Sequence, residues 1–295
     1  MDNSKVNQGN PFEYNIENFK KTDVELLHYS EINQISLDVQ QLTSIAVGSD
    51  DRIFAAGDNS IFEINRDSNF QSIISTAGNI YCLAVDESGD LYLGMSRHIE
   101  VYDQNGAKKA QWESIGKDAI ITSIAASEEF VFVADAGSQI VWKYDKDGNI
   151  LMRIGDENAD KDIPGFIIPS PFFDVSIDPD GFLWVANTGR HSMENYTFDG
   201  DLRSSWGEYS MEIEGFCGCC NPTHIAILDD GKFITSEKGI ARVKIYNRLG
   251  ELESVVAGAD QFEDYTEGLD LARDSTGRIY VVDPAIRSIR VFEKN

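Results

Sequence analysis

The sequence predicts an all-β protein, a six-bladed β-propeller of four-stranded antiparallel sheets closed by an N-terminal strand. Three observations carry this expectation. One strand–turn–strand pattern recurs six times along the chain. The last repeat ends after its third strand, at Asn295. An orphan apolar stretch near the N-terminus belongs to no repeat and can supply the missing fourth strand. A ring closed in this way leaves no open sheet edge, which an all-β chain must otherwise protect.

In chain order, residues 1–22 are polar and read as a tail, and residues 23–295 read as a single domain. Val24-Glu25-Leu26-Leu27-His28-Tyr29 is the expected closing strand, near residues 23–30. The blades are expected to start near residues 42, 80, 120, 172, 222 and 266. Their first strands read SIAV, CLAV, SIAA, DVSI, HIAI and GLDL, the last placed at 268–271. Second strands such as DLYLG, FVFVAD and FLWVAN follow an acidic or glycine turn. Third strands such as HIEVYD, IVWKYD and SIRVFE lie beyond a short polar loop. Fourth strands such as FQSIIS and ELESVVAG close the first five units. Apolar alternation marks strands with a buried face, and Asp-Gly or Asn-Gly pairs supply the positive φ of tight turns. A period of about 40–50 residues is the signature of a radial repeat.

Composition narrows the function. The 295 residues carry a formal charge of −25. Phosphate backbones and anionic membranes demand a basic face, so nucleic acid is excluded as a partner. At 42% hydrophobic residues the chain is globular, and no apolar run is long enough to span a bilayer. It is expected to work as a monomer. Met1-Asp2-Asn3-Ser4-Lys5 is no signal peptide. The polar stretch after it resembles a tether exposed once a signal has been removed, which implies an extracytoplasmic protein. With Met1 as the native start, the cytoplasm is implied instead.

The segments DESGDLYLG, DPDGFLWVANTGRHSMENYTFDGDLRSSWG and DSTGRIYVVDPAIRSIRVFEKN resemble NHL repeats over residues 40–295. Asn187-Thr188-Gly189-Arg190-His191 is the nearest single match. Unit one departs from the pattern at Asp58-Asn59-Ser60, and unit three lacks the glycine of its first turn. The resemblance implies the propeller fold and leaves function open, because one fold hosts many activities. Members include a lyase acting on hydroxyglycine-extended peptides, and some animal members bind RNA through a positive face. Related six-bladed lactone hydrolases use calcium.

Three groups map to the face where propellers usually bind. The first is the loop entering unit five, with Cys217, Cys219 and Cys220 ahead of His224. The loop entering unit four opens with the same Gly-Phe and has no cysteine, so the geometry alone does not demand thiols. Thiolates beside an imidazole suit zinc or copper, a bridge between neighbours Cys219 and Cys220 makes a clip, and buried thiols are otherwise inert. The second is the ring at the tops of the innermost strands: Ser44, Cys82, Ser123, Asp174, His224 and Gly268. It reads either as a ligand or metal site or as polar caps around a hydrated channel. The third is basic: Arg97, His98, Arg190, His191, Lys238, Arg242 and Arg287 on loops between second and third strands. Together these could rim a site for an anion or pair locally with the abundant acids. Asp145-Lys146-Asp147-Gly148 and Asp178-Pro179-Asp180-Gly181 mimic calcium loops but recur wherever a unit turns. The Asn195 sequon falls inside an expected strand. No catalytic constellation is complete. The reading that follows is a non-enzymatic propeller binding a protein or a small anionic ligand. The alternative is a metal-dependent lyase or hydrolase with its site at the channel mouth.

Overall fold

The structure is a computed structural model and describes residues 16–65 and 68–295. The expected tail therefore lies largely outside the described residues. Among those residues, the strands form six four-stranded antiparallel sheets. Five sheets are built from consecutive strands; the sixth joins the first strand of the chain to the last three. The innermost strands are Leu42–Val47, Cys82–Val85, Ile121–Ala126, Val175–Ile177, His224–Ile227 and Leu271–Arg273. No described helix is long and apolar enough to cross a membrane.

Closure is achieved by Tyr29–Ser36, which pairs antiparallel with Ser288–Lys294 from Tyr29↔Lys294 to Ser36↔Ser288. The expected closing strand is thus displaced by about one strand length. Val24–Leu26, taken from the sequence as strand, is a 3₁₀ turn capped by the Asp23 carboxylate on Glu25 N–H (3.0 Å). The reason is physical. An outermost strand faces solvent, so YSEINQIS needs little apolar content, and only Ile35 of it is buried. Arg290 clamps the join by giving two hydrogen bonds to the Glu31 carboxylate (3.1 and 2.5 Å).

Each apolar cluster sits between two neighbouring blades. Ala46, Phe54 and Ile74 of blade one meet Leu83, Leu91 and Tyr102 of blade two. Phe132 and Val141 of blade three meet Val175 and Val185 of blade four. Blades six and one are joined the same way, by Val282, Ile289, Ile45 and Ala55. Among the described residues there is no single core. Six inter-blade seams share the burial, and each buried Val, Leu or Ile contributes about 1.5–3 kcal/mol. This is why the second strands read as unbroken apolar runs: both of their faces are covered.

The acidic turns are structural. Asp178 Oδ1 accepts the N–H groups of Asp180 (3.0 Å) and Phe182 (2.9 Å), while Gly181 takes φ 82°. Asp145 does the same for Asp147 and Asn149 (3.0 and 2.8 Å). Their carboxylates are engaged by the turn itself. Blade three, without its glycine, turns through Ser127, whose hydroxyl bonds both Phe130 O and Phe130 N (3.1 and 3.0 Å). Asn195 is buried in the fourth blade and bonded to Arg203.

Candidate functional site

A channel of about 380 Å³ runs down the axis, lined by all six innermost strands. The ring at its mouth forms a belt between blades. Ser44 Oγ accepts the N–H of Leu83 in the next blade (3.1 Å). Ser123 Oγ accepts Val175 N–H (3.3 Å), and Asp174 Oδ2 accepts Ile225 N–H (2.7 Å). A fourth link runs from blade six to blade one, where Asp270 Oδ2 accepts Ile45 N–H (2.9 Å) and the Ser44 hydroxyl (2.6 Å), which leaves the ring residues Cys82 and His224 outside the belt. A side chain at the start of one blade thus satisfies a backbone donor that the strand ladder of the next leaves free.

The ring position in blade six is Asp270, two residues beyond the Gly268 expected from the sequence. Val282 N–H donates to Asp270 O, as Ala186 N–H donates to Asp174 O in blade four. Gly268 instead lies above the ring in the left-handed region (φ 72°). A Cβ there would stand 3.3 Å from the Phe172 ring and 4.0 Å from His224 Nε2.

His224 does not join the belt. The donor it would receive, Leu271 N–H, goes to Asp270 Oδ1 (2.9 Å). Its imidazole lies between acids from the two flanking blades, with Nδ1 3.5 Å from Asp174 Oδ2 and 3.5 Å from Asp270 Oδ1. The side chain is 14% exposed, and Phe172 covers it edge-on at 5.8 Å between centroids. Lys238 Nζ rests over that Phe172 ring at 4.9 Å. Burial opposes a charge on His224, but the Asp174 hydrogen bond and the charges of Asp270 and Asp174 outweigh it and raise the imidazole pKa. The Asp270 carboxyl is also raised, by burial first and by the Asp174 charge, with His224 pulling the other way. Among the described residues, Asp174, His224 and Asp270 are the one set of three His, Cys, Asp or Glu side chains whose ligand atoms lie within 4.8 Å of one another. Cys82 stands in the same ring, buried, and its thiol is pushed well above the usual range by burial and by those two acids.

The cysteine loop contributes no thiol to that set. Cys217 is buried inside blade five, where its Sγ lies 3.6 Å from Arg242 Nη2 and its N–H donates to Glu237 (3.1 Å). Cys219 is exposed and Cys220 buried, with their sulfurs 3.0 Å apart. All four cysteines are free thiols.

The basic groups do not gather into one rim. Arg242 lies in the interior rather than on a loop. It pairs with Glu237 (2.9 Å), which Lys244 also meets (2.7 Å), and all three side chains are at most 1% exposed. His98 faces Glu100 at 3.5 Å. Arg190 is tied to the carbonyls of Pro164 and Gly165 (3.0 and 3.4 Å). His191 packs against Tyr209, and burial lowers its pKa. Arg97 and Arg287 are exposed on their loops, and Lys238 alone of the set is placed by a contact at the cover of His224.

Two site features escaped the sequence. Asp270 was legible: each ring residue stands four positions before the residue that opens the first turn, as Asp174 does before Asp178, and Asp274 opens the last. Phe172 carries no local signal, since its role depends on the path of the loop.

No protein-family model matches the sequence, and no curated protein matches it. Solved structures share its fold. A streptogramin B lyase is similar at TM-score 0.64 and 13% identity, over 90% of this chain and 98% of that one. A catalytically inactive virginiamycin B lyase from Staphylococcus aureus with quinupristin is similar at 0.63 and 13%, over 90% and 100%. A protein of unknown function from Bacteroides thetaiotaomicron is similar at 0.64 and 15%, over 90% and 76%. Identities this low speak for the fold alone, so the chain is a six-bladed β-propeller with propeller lyases among its structural neighbours.

Proposed function

We propose that this protein is a binding propeller whose channel mouth takes a small ligand through a divalent cation on Asp174, His224 and Asp270. The carrying observation is that set of ligand atoms, drawn from three consecutive blades to within 4.8 Å of one another. The donor set fits. Two carboxylates and an imidazole suit manganese or zinc better than copper(I), which prefers thiolates. Each carboxylate already receives backbone hydrogen bonds, which hold its oxygens in place without exhausting their lone pairs. This moves the metal proposed from the sequence away from the thiol loop and gives the ligand an acidic rather than a basic receptor. The lack of a complete catalytic set among the described residues supports a binding role.

The test is calorimetric titration of chelator-treated protein with Mn²⁺. One equivalent should bind, and Asp174→Asn, Asp270→Asn and His224→Ala should each weaken binding at least about tenfold. Each Asn variant keeps one acceptor for the belt but turns its amide NH2 toward a second backbone donor, so an unchanged circular dichroism spectrum and urea midpoint are required before lost binding is read as a lost metal ligand. Absence of binding by the parent protein, or equal affinity in all four proteins, overturns the reading.

A second reading, an acid–base enzyme, draws on one further feature. With Nδ1 turned to the carboxylates, His224 presents Nε2 toward Phe172 and the mouth. A carboxylate-held imidazole with its other nitrogen free is a competent general base. Two of the fold neighbours are lyases, one of them bound to quinupristin. Mass spectrometry after incubation with quinupristin tests this directly: conversion that His224→Ala abolishes supports it, and an unchanged substrate removes quinupristin from consideration.

A further inference from the structure

Side chains of consecutive residues on an extended chain point apart, yet Cys219 and Cys220 bring their sulfurs to 3.0 Å. Gly218, in the left-handed region at φ 75°, turns the chain just before them. The bond length of a disulfide is about 2.05 Å, so the two sulfurs stand roughly 1 Å from bonding. Their surroundings differ. Cys219 is exposed, whereas Cys220 is 2% exposed and its thiol is raised by burial. The other two thiols are shielded. Cys82 is enclosed in the channel ring, and burial pushes Cys217 up to about 11.

We propose that Cys219 and Cys220 form a reversible dithiol–disulfide site, exchanging electrons with a small disulfide or a dithiol oxidoreductase that approaches Cys219. The Cys219 thiolate attacks one sulfur of a disulfide RS–SR. That bond breaks, and one RS⁻ leaves and takes up a proton. The Cys220 thiolate then attacks Cys219 Sγ and expels the second RS⁻, which is also protonated. Two protein thiols are oxidised to one disulfide, and the donor is reduced to two RSH. The reverse sequence, begun by an external dithiol, restores the pair.

The position of the pair gives the exchange a place to act. The loop continues through Asn221 into Thr223 and His224. Asn221 anchors it by donating to Cys217 O (2.6 Å) and Lys238 O (3.0 Å) and by accepting Lys238 N–H (2.9 Å). Lys238 in turn lies over Phe172, the cover of His224. The loop of blade four enters its blade without thiols, so the pair is an addition to the shared geometry.

The test uses the whole protein, folded and reduced, treated with excess 2-hydroxyethyl disulfide. Thiols are then counted after denaturation, and the masses of the intact chain and its tryptic peptides are measured. The expected result is a loss of two thiols and two hydrogens, with no adduct retained. Peptide 204–232 holds all three loop cysteines. Backbone cleavage between Cys217 and Cys219 should still separate its fragments, which places the bridge at Cys219–Cys220. Cys217→Ser should react as the parent does. Cys219→Ser should not react, and Cys220→Ser should stop at a stable mixed disulfide on Cys219. Four thiols remaining in the parent protein overturn the proposal, as does a mixed disulfide that persists there or a bridge involving Cys217 or Cys82.

Discussion

Glu237 holds two cations, Arg242 and Lys244, that pair with no other carboxylate among the described residues. Lys244 Nζ also donates to the carbonyls of Ile213 and Gly215 (3.0 and 2.7 Å), so the ammonium is fully coordinated in the interior of blade five. Glu237→Gln leaves Arg242 and Lys244 buried without compensation. It should cost about 3–5 kcal/mol, read as a lower urea midpoint. The same group carries a pH signature. Burial pulls Lys244 down to about 8 from 10.5, against the opposing pull of Glu237, while Arg242 lowers it further; Cys217 and the rings of Tyr246 and Phe216 also lie beside it. Between those two values the unfolded chain keeps a proton that the folded chain has released. Stability from this group therefore rises as pH goes from 8 to 10.5. Urea midpoints of the parent protein should gain on those of Lys244→Met over that window; parallel profiles would dispose of the idea. None of this was visible from sequence. Arg242 stands at the loop end of its strand, where a basic residue reads as exposed, and only the packing of the strand against Cys217 and Glu237 buries it.

Among the strands, Gly94 shows how the ring constrains its neighbours. It ends the second strand of blade two and pairs with Cys82 across the ladder. A Cβ at Gly94 would collide with Cys82 Sγ and press on Ile121. Gly94→Ala should therefore cost about 1–3 kcal/mol. Cys82→Ala removes the sulfur, so the double variant should recover part of that loss, with a coupling of at least about 0.5 kcal/mol in a double-mutant cycle. Strict additivity would mean the thiol does not occupy that space. Element positions followed from periodicity where both strand faces are buried, as in FVFVAD and LYLG. They did not follow where one face is wet. YSEINQIS has no apolar alternation strong enough to outrank the more apolar VELLHY, although it makes the pairing that closes the ring.

For the molecule as a whole, stability resides in six seams between blades rather than in one centre, and each seam depends on its neighbours being present. Deleting residues 29–36 exposes the edge of Ser288–Lys294 and removes the Glu31 partner of Arg290. The expected outcome is a fall in Tm on the order of 10 °C together with self-association through the bare edge. Calorimetry and size-exclusion chromatography check both. An unaltered Tm and elution volume would show that the ring does not depend on this closure.

By itself the sequence determined the sheet number, the repeat, the turns and the need for a closing strand. These are local matters of alternation and positive φ, and they recur often enough to be counted. The tertiary structure alone decided which side chains face the channel and what they meet there. Asp174, His224 and Asp270 are separated by about fifty residues at each step, and they come together because consecutive blades present equivalent positions to a common axis. It also decided that Arg242 is buried, since burial depends on what packs above a strand and not on the strand's own pattern.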